Sequence, residues 1–340
     1  MTSITCFGEI LLRLSTPNQQ LFSQSTNYDV HFGGSEANVA VSLAKMGEST
    51  RIVSRLPENC ISETAITTFK SHGVDCRFIT KGKGRLGLYF VEQGASIRGS
   101  KVIYDREGSS FAQAEKGEVQ WETVFSGSNW LHISGITPAL SSSAAEVCLE
   151  AAQMAKSHGM QVSMDLNFRK NLWQYGKQPH EVMPEIMRSV DVLLGDPATF
   201  NFMLGTQVPT MSYYKTADDL KNSYIAMQQE YPNLQYMAMT LREVISANHN
   251  VVGGALFHNG EVFGAQKKEV TSIIERIGGG DAFMAGLIYG LTNNKPNDYV
   301  INFATAASVL KMTIAGDYNL FSVSQIEEVM SEQPLGIIER

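Results

Sequence analysis

Basic charge is in short supply. The 340-residue chain carries 27 lysines and arginines against 34 aspartates and glutamates, a net charge of −7. A dedicated nucleic-acid binder would show a basic patch or stripe instead, so no nucleic-acid partner is expected. Cysteine is also scarce: Cys6, Cys60, Cys76 and Cys148 are scattered, with no CxxC pair and no metal-ligand spacing. They read as reduced thiols of a cytoplasmic protein, not as a disulfide framework. No run approaches the ~18 consecutive apolar residues of a membrane span, so no membrane partner is expected. Met1 to Cys6 lack a basic segment and pass straight into a strand-like stretch, so a secretory leader is not expected. Repeats, low-complexity tracts and long linkers are missing. So are three motifs: the GxxxxGK[ST] phosphate loop, GxGxxG at the first strand–helix turn, and the GxSxG nucleophile elbow. The histidines show no ligand spacing, and His132, in Trp130-Leu131-His132-Ile133, reads as a near-core residue.

What remains is a chain rich enough in apolar residues, at 43%, to bury a sizeable core. Short apolar runs at Ile4–Leu12, Trp130–Ser134, Gln161–Asp165, Asp191–Gly195 and Gln235–Thr240 read as strands. Helical patterns such as Ser141–Ser157 and Thr216–Glu230 lie between them. Strands alternating with helices predict an α/β fold of βαβ units with a mostly parallel sheet flanked by helices. Two stretches break the rhythm. Leu14–Phe32 is polar and turn-rich, and Gly87–Arg106 reads as two strands, Leu88–Glu92 and Lys101–Arg106, around a turn at Gly94–Gly99. A hairpin does not belong in a parallel core, so these stretches predict a small separate β-sheet lid. The expected organisation is one domain over residues 1–340, its lid formed by insertions at about 14–33 and 86–108.

Four motifs can carry chemistry. In Ile277-Gly278-Gly279-Gly280-Asp281, three glycines lead to an acid at the start of a helical stretch reaching about Leu291. Bare glycine backbone and a helix N-terminus together cradle an anion such as phosphate. Asp281 is then placed to take a proton from a hydroxyl; the plain alternative is an aspartate that only caps the helix. Gly286 and Gly290, four apart, suit close helix packing. In Gly33-Gly34-Ser35-Glu36-Ala37-Asn38, a glycine pair opens an amphipathic helix ending at Gly47, and Asn38 offers both a donor and an acceptor. The alternative is a tight turn before a packed helix. Asp165-Leu166-Asn167-Phe168-Arg169 closes a buried-looking strand, where open α/β sheets bind ligands. Arg169 there can hold an acid by a bidentate pair or be tied up in a strand-end ion pair. In Lys101-Val102-Ile103-Tyr104-Asp105-Arg106, residues two apart share a face, so Tyr104 and Arg106 point together and Tyr89 can join them. That trio suits a hydroxylated, anionic ligand, or lines a solvated sheet face.

Read together, GGSEANVAVSLAKMG and IGGGDAFMAG resemble the two signatures of the ribokinase-like (PfkB) carbohydrate kinases. The resemblance runs from Cys6 to Asp317. YDR at Tyr104–Arg106, DLNFRKNLW at Asp165–Trp173, TLREVISA at Thr240–Ala247 and LKMTIAGDYNL at Leu310–Leu320 look like the 2-keto-3-deoxygluconate kinase subfamily. The resemblance implies a ribokinase-like Rossmann-type core with a small β-sheet lid and phosphorylation of 2-keto-3-deoxygluconate to its 6-phosphate with ATP and Mg²⁺, and leaves open a monovalent cation such as K⁺. It implies Asp281 as catalytic base and Gly278, Gly279 and Gly280 as anion hole. Gly34, Asn38, Tyr89, Tyr104, Arg106 and Arg169 would then bind the sugar acid. Asn167, Thr240, Arg242, Gly278 and Gly280 would lie near the ATP phosphates. Strand alternation puts Phe90 and Ile103 on the lid face away from Tyr89 and Tyr104; an exposed apolar face seeks a partner, and the resemblance implies pairing through such lids, so a two-fold homodimer is expected, with a higher oligomer left open. The metal ligands stay open: the family's Asn-x-x-Glu motif is here Asp196-Pro197-Ala198-Thr199, without the glutamate. The alternatives are a kinase of a neutral ketose such as fructose, or a sugar sensor without activity on the same fold. Arg106 and Arg169 favour an acid, because desolvating two cations against a neutral sugar is costly.

Overall fold

A computed structural model describes residues 3–331. In chain order its strands begin β1 (Ser3–Phe7), β2 (Leu11–Ser15), β3 (Asp29–Gly33), β4 (Ser49–Leu56), β5 (Asp75–Lys81), β6 (Gly87–Glu92) and β7 (Lys101–Asp105). They continue with β8 (Trp130–Ser134), β9 (Gln161–Asp165), β10 (Val192–Leu194), β11 (Tyr236–Ser246), β12 (His249–His258), β13 (Glu261–Gly264) and β14 (Lys268–Val270). The large sheet runs β13-β12-β11-β10-β9-β8-β1-β4-β5, with β14 also on β12. Its pairs from β5 to β11 are parallel, and β12, β13 and β14 add an antiparallel edge. The expected mostly parallel core with a separate small sheet is what the chain forms.

Parallel strands covered by helices on both faces read as unbroken apolar runs. That is why Trp130–Ser134 is buried at every position. Two hydrophobic clusters result, one on each side of the sheet. One gathers Met164, Ile186, Phe200 and Phe257, the other Ile4, Val39, Phe69 and Phe283. The sheet reverses its winding at β1, which has β4 on one side and β8 on the other. Such a switch point opens a crevice at the carboxyl ends of the strands.

The small sheet is ordered β3-β2-β6-β7, with antiparallel outer pairs around a parallel β2–β6 pair. Here one sequence expectation is corrected. Ile4–Leu12 is not a single strand: β1 ends at Phe7, and the chain crosses to the small sheet before Leu11. Gly8 sits at the break because the Glu36 side chain packs on it; a Cβ there would lie 2.0 Å from Glu36 Oε2. The small sheet therefore includes Leu11–Ser15, ahead of the turn-rich stretch read as its start. Thr216–Glu230 is likewise shorter as an α-helix, which begins at Lys221 after a 3₁₀ turn at Asp218–Leu220.

The glycine runs fall at helix starts. Gly34 precedes the Ser35–Lys45 helix at φ 148°, and Gly278 precedes the Gly279–Thr292 helix at φ 80°. Asp281 lies inside that helix, so the simple capping role is excluded. Gly286 and Gly290 let the following Asn297–Lys311 helix come close: a Cβ on Gly286 would sit 2.6 Å from Ala304 Cα, and one on Gly290 2.9 Å from Val300 Cγ2. Among the described residues, no helix is long and apolar enough to cross a membrane.

Candidate active site

Two helix starts face each other over the carboxyl edge of the large sheet and hold Asp281 between them. One Asp281 oxygen accepts from Ser35 Oγ at 3.0 Å and the other from Asn38 Nδ2 at 2.7 Å. Ser35 Oγ accepts in turn from Asn167 Nδ2 at 2.9 Å. Asn167 follows β9 at φ 41°, its amide held by Asp165 Oδ1 at 2.9 Å. Ser35 and Asn38 are thus joined on one carboxylate, with Asn167 tied in through Ser35. Burial raises the Asp281 pKa above the usual carboxylate value, against the pull of Asn38, Ser35 and Arg169.

Two cavities lie at this edge of the sheet, and Asp281 lines the larger. The larger, about 410 Å³, is lined by Gly34, Asn38, Tyr89, Tyr104, Arg106, Asn167, Arg169, Arg242, Gly278, Gly280 and Asp281, among others. That volume suits a small ligand, pockets for which span roughly 300–1,000 Å³. The smaller, about 250 Å³, lies over Asp165, Gly195, Asp196, Thr240 and Gly280. Gly280 and Asp165 border both cavities. A Cβ on Gly280 would meet nothing within 4 Å, whereas one on Gly279 would approach Met312 Cε at 3.2 Å. The residues read from the sequence as sugar-side and phosphate-side therefore line two neighbouring cavities that share Asp165 and Gly280. Asn167 and Arg242, read as phosphate-side, line the larger cavity; Thr240 lines the smaller.

The charges around this space differ from the sequence reading in one respect. Arg106 is not a free cation: it lies just past β7, buried, and its guanidinium is ion-paired with Glu9, Nε to Oε2 at 2.8 Å. It also lies 5.7 Å from the Tyr104 ring centroid, and Tyr104 stacks on Tyr89 at 5.8 Å. The Tyr89 hydroxyl donates to Asp317. Arg169 is exposed and donates to the Phe168 carbonyl; among the described residues no ion pair holds it, Arg242 or Arg276. Arg242 keeps a buried Nε without a partner, and its pKa is lowered by burial and by Arg276 beside it.

Several lining residues escaped the sequence reading. Glu9 follows β1, with Oε1 buried and unpartnered. Glu36 accepts from Ser134 Oγ at 2.6 Å, and burial pushes its carboxyl up to about 7. Burial and the Asp281 charge push Asp165 up to about 7 as well. Glu36 and Arg276 stand beside the glycine runs, which was the available signal; Glu9 carried none. Asp196 caps the Pro197–Leu204 helix, accepting from Thr199 N at 3.0 Å. Among the described residues, no group of three or more His, Cys, Asp or Glu is placed to hold a metal ion.

Such an arrangement can activate a hydroxyl and stabilise an anion. A buried carboxylate stands in the first turn of a helix, beside bare N–H groups and arginines that have no acid of their own.

Comparison with known proteins agrees. The model of the pfkB family carbohydrate kinases matches residues 1–322. A 2-dehydro-3-deoxygalactonokinase of Haloferax volcanii is 27% identical over 336 residues, covering 98% of each chain. The crystal structure of a 2-dehydro-3-deoxygluconokinase from Thermotoga maritima superposes with a TM-score of 0.91 at 36% identity, covering 97% of this chain and 99% of that one. A putative ribokinase II from E. coli, solved with ATP and Mg²⁺, superposes at 0.78 with 17% identity over 97% of this chain and 99% of that one, a likeness of fold alone.

Proposed function

Because the chain belongs to the pfkB family of carbohydrate kinases, we propose that it transfers the terminal phosphoryl group of ATP to the 6-hydroxyl of 2-keto-3-deoxygluconate. The products are ADP, the 6-phosphate and a proton. The carrying observation is Asp281 on the wall of the larger cavity, next to Gly280, which borders both cavities, with an arginine free of acid partners, Arg169, on the same wall. The sugar acid occupies the larger cavity, its carboxylate on Arg169 and its hydroxyls on Asn38, Tyr104 and Gly34. The nucleotide lies over Thr240, its phosphates toward Gly280, Arg242 and Asn167.

Phosphoryl transfer asks for positioning and charge stabilisation more than for covalent chemistry. Asp281, oriented by Ser35 and Asn38, takes the proton of the attacking hydroxyl. Main-chain N–H groups of Gly278 and Gly280 stabilise the charge on the moving phosphoryl; that of Gly279, expected to join them, instead donates to the Arg276 carbonyl at 3.3 Å. The small sheet serves as the lid of a single domain and excludes water from the reacting groups. Mg²⁺ usually binds through one or two carboxylates plus substrate phosphates, which suits Asp165 and Asp196 at the smaller cavity, with no all-protein cage. When bound there, the ion supplies positive charge against the phosphate oxygens.

The outer face of the small sheet exposes Val30 (58%) and Ile103 (53%) beside half-buried Leu14 and Phe90. An apolar sheet face of this kind seeks cover, and we assign it to a second copy in a two-fold homodimer. Four cysteines without a disulfide suit the reducing cytoplasm.

Release of ADP, followed over 2-keto-3-deoxygluconate, 2-keto-3-deoxygalactonate and fructose, tests the reading. The sugar acids should carry the highest kcat/KM. Phosphorylation of fructose alone would favour the neutral-ketose reading, whose support is the Glu9 charge already neutralising Arg106.

A further inference from the structure

Of the buried cations the mechanism leaves unused, Lys311 has no acid partner among the described residues. Lys311 ends the Asn297–Lys311 helix with its side chain wholly buried. Lysine is almost never fully buried unless paired, yet among the described residues no ion pair holds this one. The neighbouring acids, Glu275 and Asp317, are taken by Arg13. The Lys311 ammonium instead has two main-chain partners, the carbonyls of Glu275 and Ile314, each at 3.4 Å.

Those carbonyls belong to the two segments that shape the glycine turn. Glu275 lies just ahead of Gly278 in the chain. Asp317, just beyond Ile314, presses its carbonyl against Gly278 so closely that a Cβ there would lie 1.5 Å away. A single positive charge held by main-chain carbonyls is the chemistry of a monovalent-cation site. Here the protein supplies that charge from its own chain, so an added ion would meet a like charge in an occupied place. K⁺, left open by the sequence, does not fit here.

We infer that Lys311 is a built-in monovalent cation: it ties the 275 and 314 carbonyls together, fixes the Gly278 turn, and makes turnover independent of K⁺. The inference rests on the kinase reading, because the turn is the proposed anion cradle. Lys311 is a positioning residue, not a catalytic one. Removing it while leaving room converts an internal charge into a site for a small external one.

Rates and melting are measured with K⁺, methylammonium or tetramethylammonium as the sole added cation. Wild-type turnover should agree within about twofold across all three. Lys311→Ala should lose roughly tenfold or more in tetramethylammonium and recover in part with K⁺ or methylammonium. Its melting temperature should rise by about 2 °C in saturating K⁺, while that of the wild type stays put. Lys311→Met fills the space without charge and should be slow in every salt. A K⁺-dependent wild type overturns the inference. So does Lys311→Ala indifferent to all three cations, or, should that variant not fold, Lys311→Met at the wild-type rate. If the wild type phosphorylates no sugar, the kinase reading fails, while the melting comparison still decides whether a cation replaces the ammonium.

Discussion

Replacing Gly280 with alanine sets stability against activity at one position. Gly280 lies in the first turn of the Gly279–Thr292 helix, and a Cβ there would meet nothing within 4 Å. Alanine should therefore recover part of the ~0.5–1 kcal/mol by which glycine weakens a helix. Unfolding entropy is about 2.1 cal/mol/K per residue, so for a chain of this length the gain raises the melting temperature by roughly 1 °C. The same methyl enters the space shared by both cavities, where the transferring phosphoryl group would rest. It pushes that group off the N–H donors. Loss of one such donor contact costs ~10²–10³-fold in kcat, or ~2.7–4 kcal/mol. Thermal melting and ADP release on the same preparation measure both effects. A variant turning over within a few-fold of the parent would show that no phosphoryl group passes this point. A melt several degrees lower would show that the space is not open. The neighbouring glycines are controls. Gly278→Ala meets the Asp317 carbonyl at 1.5 Å with φ at 80°, and should not give folded protein. Gly279→Ala comes closest to the flexible end of Met312 at 3.2 Å, with ordinary contacts to Ser308 Oγ at 3.5 Å and Arg242 Nη2 at 3.9 Å, and should fold and turn over nearly as the parent does.

Asp281→Asn keeps the shape without the base, and should fold and bind ATP while losing ~10²–10⁴-fold in turnover; rates within a few-fold of wild type would remove Asp281 from that role. Arg169→Ala should weaken a sugar acid by about tenfold to a hundredfold and spare its neutral analogue, from a charge-assisted bond of roughly 1.5–3 kcal/mol; equal losses in calorimetry would refute carboxylate recognition. Burial lowers the His132 pKa from 6.5 to about 3. Its unfolded form therefore binds the proton first: the stability due to the neutral ring is complete above pH 6.5 and is lost as pH falls toward 3, by ~2–3 kcal/mol at about pH 4.5. Glu36 and Asp165, raised to about 7, act in the opposite sense below neutrality, so denaturant melts must compare wild type with His132→Gln. Identical pH slopes for the two would show an ordinary histidine. Phe90→Asp and Ile103→Asp should yield monomers with weakened sugar binding; a monomeric wild type in light scattering at micromolar concentration would exclude the dimer.

Sequence was a good guide where the cause of a feature is local. Trp130–Ser134 and Gln161–Asp165 were legible because strands buried on both faces need no partner to look apolar. The turns at Gly34 and Gly278 were legible because few residues other than glycine tolerate their φ values. Features whose cause lies far along the chain were hidden. Ile4–Leu12 looks like one strand, and the reason it breaks is the side chain of Glu36 resting on Gly8. Arg106 looks free in its own segment and is neutralised by Glu9, 97 positions away. Arg13 drew no notice at all, since its partner Asp317 is 304 positions distant.

Arg13 has a mechanical consequence. It stands on β2 of the small sheet, wholly buried, and grips Glu275 and Asp317, which belong to the main body on either side of the Gly278 turn. Tyr89 on β6 holds Asp317 too, and Gln93 reaches Glu275 Oε2 at 2.8 Å. Breaking a buried charge pair by removing one partner costs about 3–5 kcal/mol. Any tilt of the small sheet over the cavity would therefore carry the glycine turn with it. A ligand that drew the sheet inward would also adjust the N–H groups at Gly278. Thermodynamic reciprocity then requires that an anion seated on those N–H groups favour the inward sheet by an equal free energy.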